Sequence, residues 1–286
     1  MTGVFHSLAP YVGLRYVRAR THKFFVSFIT WVSLLGVGLG VAALIVILSV
    51  MNGFEAELRT QLLALSAHAR VVPAVGATAP DQAAWDALAA RLRTQPGVIG
   101  VAPYVEVQAL AVHQPDMLPV VLRGIDPATD SSVSEINKVL RAGSLKDLVT
   151  GDDRVLVGDV IARQLGVAAG DALTLLIPTI AADGTPAPRL REVRVAGDFD
   201  AGVQEQEGAL LLGNIADVRA MGAAASDMGL RLRYANALQA PAMSVALRRV
   251  LPANLQIIDW TVDNASYFRA IRIEKTMMSL ILLLIV

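Results

Sequence analysis

The sequence predicts an α-helical membrane protein that carries a large α+β domain outside the bilayer. It has one complete transmembrane helix and the first part of a second. Three observations predict this. Residues 24–54, FFVSFITWVSLLGVGLGVAALIVILSVMNGF, contain no charge. The segment that follows alternates short strand-like and helix-like patterns, and the last eleven residues, Thr276–Val286, are again uncharged.

The N-terminal segment, residues 1–24, carries Arg15, Arg18, Arg20 and Lys23 and no acidic residue, whereas Glu55 and Glu57 follow the apolar run. A Lys/Arg excess marks the cytoplasmic side of a span, so the N-terminus reads as cytoplasmic and everything after Gly53 as external. Leu8, Tyr11, Val12, Leu14, Tyr16 and Val17 can form an interfacial amphipathic helix beside the arginines; a solvated basic flank that only sets topology fits the same residues.

The transmembrane helix is placed at 25–53. A bilayer core needs about 20 apolar residues in helical form, and this run exceeds that with room for tilt or an extension beyond lipid. It is too long for a signal-peptide core of roughly 7–15 residues, and no small-residue cleavage site closes it. Gly36 and Gly40 form a G-x-x-x-G pair, two small residues on one face where another helix can approach. From there Val41, Leu44, Ile45, Leu48, Met51 and Phe54 make a bulky apolar stripe at helical spacing, suited to lipid, a partner helix or a lipidic substrate.

Residues 54–268 read as one external α+β domain. Ala69–Val75 is a strand. Asp81–Thr94 has an amphipathic pattern with Trp85, Leu88 and Leu92 on one face, and Pro96-Gly97 stops it. Val98–Val112 alternates as one or two strands. The same strand–helix–strand order returns as Gly229–Tyr234, Pro241–Val250 and Leu255–Asp259. A split unit at about 67–113 and 229–259, with an insertion at about 114–228, accounts for both.

Within the insertion, Leu118–Ile125 is a strand and Asp126 to Glu135 a polar, turn-rich stretch. Val155–Val157 is a strand, Asp159 a candidate cap for a helix at Val160–Leu165, Gly166 its left-handed terminus, and Ala172–Ile177 the next strand. Pro178, Thr179, Asp183, Gly184, Pro186 and Pro188 then bound a stiff hairpin, since Asp-Gly between strands is a turn signal; its return strand is Arg189–Ala196. The prolines argue against ordinary central strands for its arms. Such a loop serves as a surface connection or as a binding loop.

Trp260–Lys275 reads as one helix, with Tyr267, Phe268, Ile271 and Met278 along one side, leading into the last apolar residues. Residues 269–286 are therefore assigned to a stalk and a second transmembrane helix that the sequence leaves unfinished, because eleven residues cannot span a bilayer.

The composition excludes several chemistries. The 286 residues are 54% hydrophobic, with a mean hydropathy of +0.52 and a formal net charge of zero. The balance gives no electrostatic case for nucleic acid. There is no cysteine, hence no disulfide, thiol nucleophile or thiolate metal site. His6, His22, His68 and His113 are scattered, none at a triad or ligand spacing, and His68 and His113 read as surface or strand-edge residues. No G-x-x-x-x-G-K-[ST] phosphate loop is present. No catalytic residue and no metal ligand is assigned.

Several blocks together resemble the permease subunits of lipoprotein-releasing ABC transporters, the LolC/LolE group, within the wider superfamily of MacB- and FtsX-like permeases. These are Gly13–Arg20 (GLRYVRAR), Phe25–Arg59 with its S-V-M-N-G-F-E exit at Ser49–Glu55, and Asp259–Val286. Val157–Asp171 is shared with efflux and cell-division relatives. The resemblance implies a membrane α-helical permease fragment with a large periplasmic α+β domain, lying in the bacterial inner membrane and multi-pass in its full-length form. Family permeases have four membrane helices, so the third and fourth and the loop that grips the ATPase are missing here.

The implied partners are a cytoplasmic ABC ATPase dimer, a second permease subunit (the same or a homologue), a periplasmic lipoprotein carrier, the lipoprotein cargo and membrane lipids. The implied cofactors, ATP and Mg, belong to the ATPase; none is expected on this chain. Val41, Leu44, Ile45, Leu48, Met51 and Phe54 would face lipid or cargo, Gly36 and Gly40 would serve helix packing, and the 178–188 hairpin falls where a family member presents a carrier-docking hook. A related efflux or cell-division permease, or a membrane-anchored periplasmic sensor or adaptor, are the competing readings.

Overall fold

A computed structural model describes residues 24–65, 67–179, 187–200 and 209–285. The chain divides into two compact units. One contains the apolar helical segments, 24–56 and 266–285; the other is Glu57–Ala265.

Helix α1 runs Phe24–Leu65 without a break, 42 residues. At 1.5 Å per residue that is about 63 Å, roughly twice a bilayer core of about 30 Å. The helix expected to end at Gly53 continues through ELRTQLLAL, because these are strong helix formers and one glycine costs only about 1 kcal/mol.

The Glu57–Ala265 unit, termed the external unit after its expected position, is built on a nine-stranded sheet. In chain order it comprises β1 (Ala69–Pro73), α2 (Gln82–Arg93), β2 (Val98–His113), β3 (Asp116–Ile125), short helices α3 (Pro127–Asp130) and α4 (Ile136–Val139), β4 (Arg154–Gly158), α5 (Asp159–Leu165), β5 (Ala172–Ile177), β6 (Arg189–Phe199), β7 (Leu210–Asn214), α6 (Ile215–Ala220), β8 (Met228–Tyr234), α7 (Ala240–Arg248), β9 (Leu255–Asp259), α8 (Trp260–Asp263) and the start of α9 (Ala265–Ile285).

Strand β2 is the spine. Its first half pairs antiparallel with β8, and its second half with β3 and β5. On one side, β2-β8-β1-β9 forms an antiparallel sheet with α2 and α7 as its two crossovers, the split βαβ arrangement of ferredoxin-like folds. On the other, β3-β7-β4-β6-β5 returns to β2, and the β3–β2 pairing closes a six-stranded barrel. Closure removes edges that would otherwise invite other chains.

Alternation separates the faces of the first sheet. Val71, Leu230, Leu232 and Tyr234 lie on the side of the buried α2 residues Trp85, Leu88 and Leu92, and Tyr234 Oη reaches Ser244 of α7 at 3.4 Å. Arg70 and Arg231, partners in register, fall on the opposite side. At the barrel, Ile125, Leu156, Phe199, Leu210 and Leu212 form a cluster closed over by Ile136, Leu145 and Leu148. Each such side chain, fully buried, contributes about 1.5–3 kcal/mol.

Three sequence expectations are corrected. Asp159 does not cap α5: Gly158 takes that position with no side-chain bond, while Asp159 is buried and binds Arg163 at 2.5 Å and Arg141 at 3.4 Å. The helix expected over Trp260–Lys275 is broken at Asn264, whose φ of −105° and ψ of 28° end α8 and whose Nδ2 donates to Trp260 O at 2.8 Å. The hairpin arms β5 and β6 are inner strands of the barrel, because Pro178 and Pro188 stand just beyond the paired residues Ile177 and Arg189.

Candidate functional site

Three places matter for function: the apolar helix, the hairpin, and, within the Glu57–Ala265 unit, the neighbouring ends of β1 and α8.

Phe28–Val50 is, among the described residues, the one helix long and apolar enough to cross a membrane, with a mean hydropathy of 2.5. Its expected stripe is not a single face. Gly40, Val41 and Leu48 are half-buried and Leu44 is 7% exposed, whereas Ile45 is 63% exposed. At 3.6 residues per turn, positions 40, 41, 44 and 48 span roughly a third of the circumference and 45 falls to one side. Gly36 also lies off that arc, and among the described residues a Cβ added there meets nothing within 4 Å. The side chains of Met51 and Phe54 lie outside the described residues, as do those of Tyr267, Phe268 and Ile271; Met278 is half-buried.

The hairpin is closed at its base. Ala187 N donates to Thr179 O at 2.8 Å and the Thr179 hydroxyl donates to Ala187 O. Asp183, Gly184 and Pro186 lie outside the described residues; Pro178, Thr179 and Pro188 lie within them. Beyond the base, Arg189, Leu190, Arg191 and Arg194 on β6 are exposed, with Leu190 at 67%, so the return arm presents cations and an apolar side chain to solvent.

Sequence reasoning missed the third place. Helix α1 is followed by β1, and β9 is followed by α8 and then α9. These two leads are bound to each other. Trp260 N donates to His68 O at 3.2 Å, and Arg70 of β1 donates to Asp263 of α8 at 2.7 Å. The turn itself is pinned: Asp259 caps it through Thr261 N, and Trp260, 4% exposed, donates its indole N–H to Ala237 O at 2.9 Å. The one signal available was Asp259 directly before a tryptophan, the cap of a new helix.

Beside this junction the polar sheet face forms a cavity of about 430 Å³, lined among others by Arg70, Tyr104, Glu106, Arg123, Arg231 and Asp263. Like charges directly opposite on neighbouring strands are destabilising, and here each arginine has its own acid. Arg70 pairs with Asp263 at 2.7 Å, Arg123 with Glu106 at 2.9 Å, and the buried Arg231 with Asp130 at 2.7 Å. Burial works to lower the Arg70 pKa, but the bond and charge of Asp263 raise it overall. Burial, with Glu106 adding to it, raises that of the Tyr104 hydroxyl.

Of the surface or strand-edge positions expected for His68, the structure gives the second: it directly precedes β1 and is buried. Its Nδ1 accepts from Tyr234 N at 3.0 Å, and desolvation with the charge of Arg233 lowers its pKa. Among the described residues no group of three or more histidines and carboxylates is placed to hold a metal ion.

Residues 30–249 match the family model described as a MacB-like periplasmic core domain. The chain is 38% identical over 285 residues to the lipoprotein-releasing system transmembrane protein LolC of Neisseria meningitidis serogroup B, covering 98% of this chain and 67% of that one. It is 36% identical to LolC of Xylella fastidiosa (99% and 68%) and 30% identical to LolE of Haemophilus influenzae (96% and 67%). It thus spans about two thirds of these relatives' length. Two solved structures resemble it loosely. The extracellular domain of the noncanonic ABC-type transporter YknZ from Gram-positive bacteria has a TM-score of 0.41 at 13% identity, covering 68% of this chain and 99% of that one. The periplasmic region of MacB from Actinobacillus actinomycetemcomitans has a TM-score of 0.41 at 10% identity, covering 72% and 94%.

Proposed function

The chain belongs to the LolC/LolE family of lipoprotein-releasing permeases, and on that premise we propose that it draws lipoproteins out of the outer leaflet of the bacterial inner membrane and passes them to a periplasmic carrier. In this reading α1 spans the membrane with its N-terminus in the cytoplasm, and Glu57–Ala265 lies in the periplasm. A cytoplasmic ATPase dimer binds ATP and Mg, and a second permease subunit, identical or homologous, completes the assembly. The single observation that carries the proposal is the 36–38% identity to lipoprotein-releasing transmembrane proteins over nearly the whole chain.

Exposing a buried CH₂ costs about 0.8 kcal/mol, so bringing one chain of a dozen or so methylenes into water costs on the order of 10 kcal/mol. An apolar wall that continues past the lipid surface lowers that cost, and α1, at 42 residues, is long enough to supply one. Val41, Leu44, Leu48, Met51 and Phe54 form the cargo side of that wall, with Ile45 at its margin. Gly36 and Gly40 receive a helix of the assembly. The 178–188 hairpin docks the carrier, aided by the cations of β6. The work comes from ATP on the partner, so this chain needs neither nucleophile nor metal.

A related efflux or cell-division permease is the second reading, favoured by the match of residues 30–249 to the MacB-like core domain. Purification of the full-length permease with its ATPase separates the two. Lipoprotein release predicts co-purified lipoprotein and an ATPase rate that responds to added lipoprotein. A complex carrying none, with a rate indifferent to it, contradicts the proposal.

A further inference from the structure

We propose that Arg70 and Asp263 are positioning residues that form an openable tie between the outer ends of the two long helices' leads, so that movement of one lead is passed to the other. The mechanical sense of this tie rests on the permease reading.

Four observations carry it. First, β1 is the first strand after α1, and α8 is the last element before α9, so a bond between them joins the two leads across 193 residues of sequence. Second, the leads are joined by bonds of different strength, beginning with the β1–β9 ladder from Ala69 opposite Asp259 to Pro73 opposite Leu255. The backbone bond from Trp260 N to His68 O is anchored by the buried Trp260. The Arg70–Asp263 pair, with both side chains 39% exposed, is the adjustable one, because a half-exposed ion pair adds little to folding.

Third, Arg70 Nε is buried with no hydrogen-bond partner among the described residues, so its bond to Asp263 does not come with a fully satisfied guanidinium. Fourth, the cavity beside the pair is also lined by Glu106 and by Tyr104, whose hydroxyl adjoins Arg70. Glu106 already binds Arg123 at 2.9 Å, so a guanidinium released from Asp263 keeps the Tyr104 hydroxyl and the open side of the cavity as its polar surroundings. Breaking a pair is severe only when it leaves a buried charge alone. A weak, half-exposed bond at a mechanical junction, beside a polar cavity, suits a part that changes state better than one that holds the fold.

The test uses the full-length permease with its ATPase. These 286 residues contain no cysteine, so Val50→Cys and Met277→Cys, both at exposed sites, are the two label positions within them, any cysteine elsewhere in the complex being replaced first. Pulsed distance measurement is made on the unaltered pair, on Arg70→Gln, on Asp263→Asn, and on the charge swap Arg70→Asp with Asp263→Arg. Each single variant is expected to widen the distance distribution about twofold, and the swap to restore it, with melting temperatures within about 3 °C of one another. Unchanged distributions in the single variants, or a folded swap that restores nothing, overturn the tie. Release of lipoprotein per ATP, expected to fall at least fivefold in the single variants and to recover in the swap, is read alongside. An unaltered complex that releases no lipoprotein overturns the functional reading, while the distance result still decides the tie.

Discussion

Asp130 accepts a 2.7 Å hydrogen bond from Arg231 across 101 residues of sequence, with both side chains buried. The second carboxylate oxygen accepts from the Ser134 hydroxyl at 2.5 Å. Two positions along β8, Arg233 binds Glu135 at 2.7 Å, which with Lys138 holds the Glu135 carboxyl below its usual range. Arg231 and Arg233 project from the same side of β8, so segment 130–135 is fixed to the split sheet at two points. Removing one partner of a buried pair costs about 3–5 kcal/mol, because the other charge is left unpaired. Asp130→Ala is expected to destabilise the external unit by that amount in urea, and Glu135→Ala by much less. Equal small effects would contradict the assignment of Asp130–Arg231 as the main link.

Acid sensitivity follows from His68. Its folded pKa is lowered by burial and by the charge of Arg233, with the charge of Glu135 acting in the opposite direction. The unfolded chain, at about 6.5, takes up the proton first. Stability is therefore level above pH 6.5 and falls as pH drops below it, until the folded pKa is reached. The melting temperature is expected to hold between pH 8 and 7 and to decline from 6.5 to 5, with His68→Gln showing a flatter decline. An unchanged slope in that variant would remove His68 as the cause.

Gly197 tests the seam between the barrel and the loop at 142–143. A Cβ there would sit 2.1 Å from Ala142 O, against backbone that cannot turn aside. Gly197→Ala is expected to cost about 1–3 kcal/mol through overpacking, whereas Gly38→Ala, with nothing within 4 Å of the added atom, leaves stability unaltered. Thermal denaturation of the two variants side by side decides it.

In the helix, Gly40 is half-buried beside Leu44. Gly40→Leu is expected to block release while the external unit melts as before, because a leucine fills the close approach that a small residue permits. Normal release by that variant would remove its packing role. At the hairpin, shortening the loop between Thr179 and Ala187 is expected to weaken carrier binding at least tenfold without altering ATP hydrolysis. Carrier affinity unchanged in direct titration would remove the docking role.

The sequence was most legible where local pattern decides structure. The charge-free run marks α1, alternation marks β2, and Gly166 takes the left-handed position at φ +64°. It was least legible where the partner is remote. The closure of the barrel depends on β3 meeting β7, with Val121 facing Leu210, and no local signal announces that pairing. Asp130 and Ser134 sit in a stretch that reads as a polar loop, yet both are buried, because Arg231 lies far along the chain. The Arg70–Asp263 tie is invisible for the same reason.

The most direct test of the account is ATP-driven transfer of a purified triacylated lipoprotein from proteoliposomes to a soluble carrier, by the full-length permease reconstituted with its ATPase. The account predicts transfer that requires ATP and fails with a hydrolysis-inactive ATPase. Retention of the lipoprotein in the membrane while ATP is being hydrolysed would contradict it.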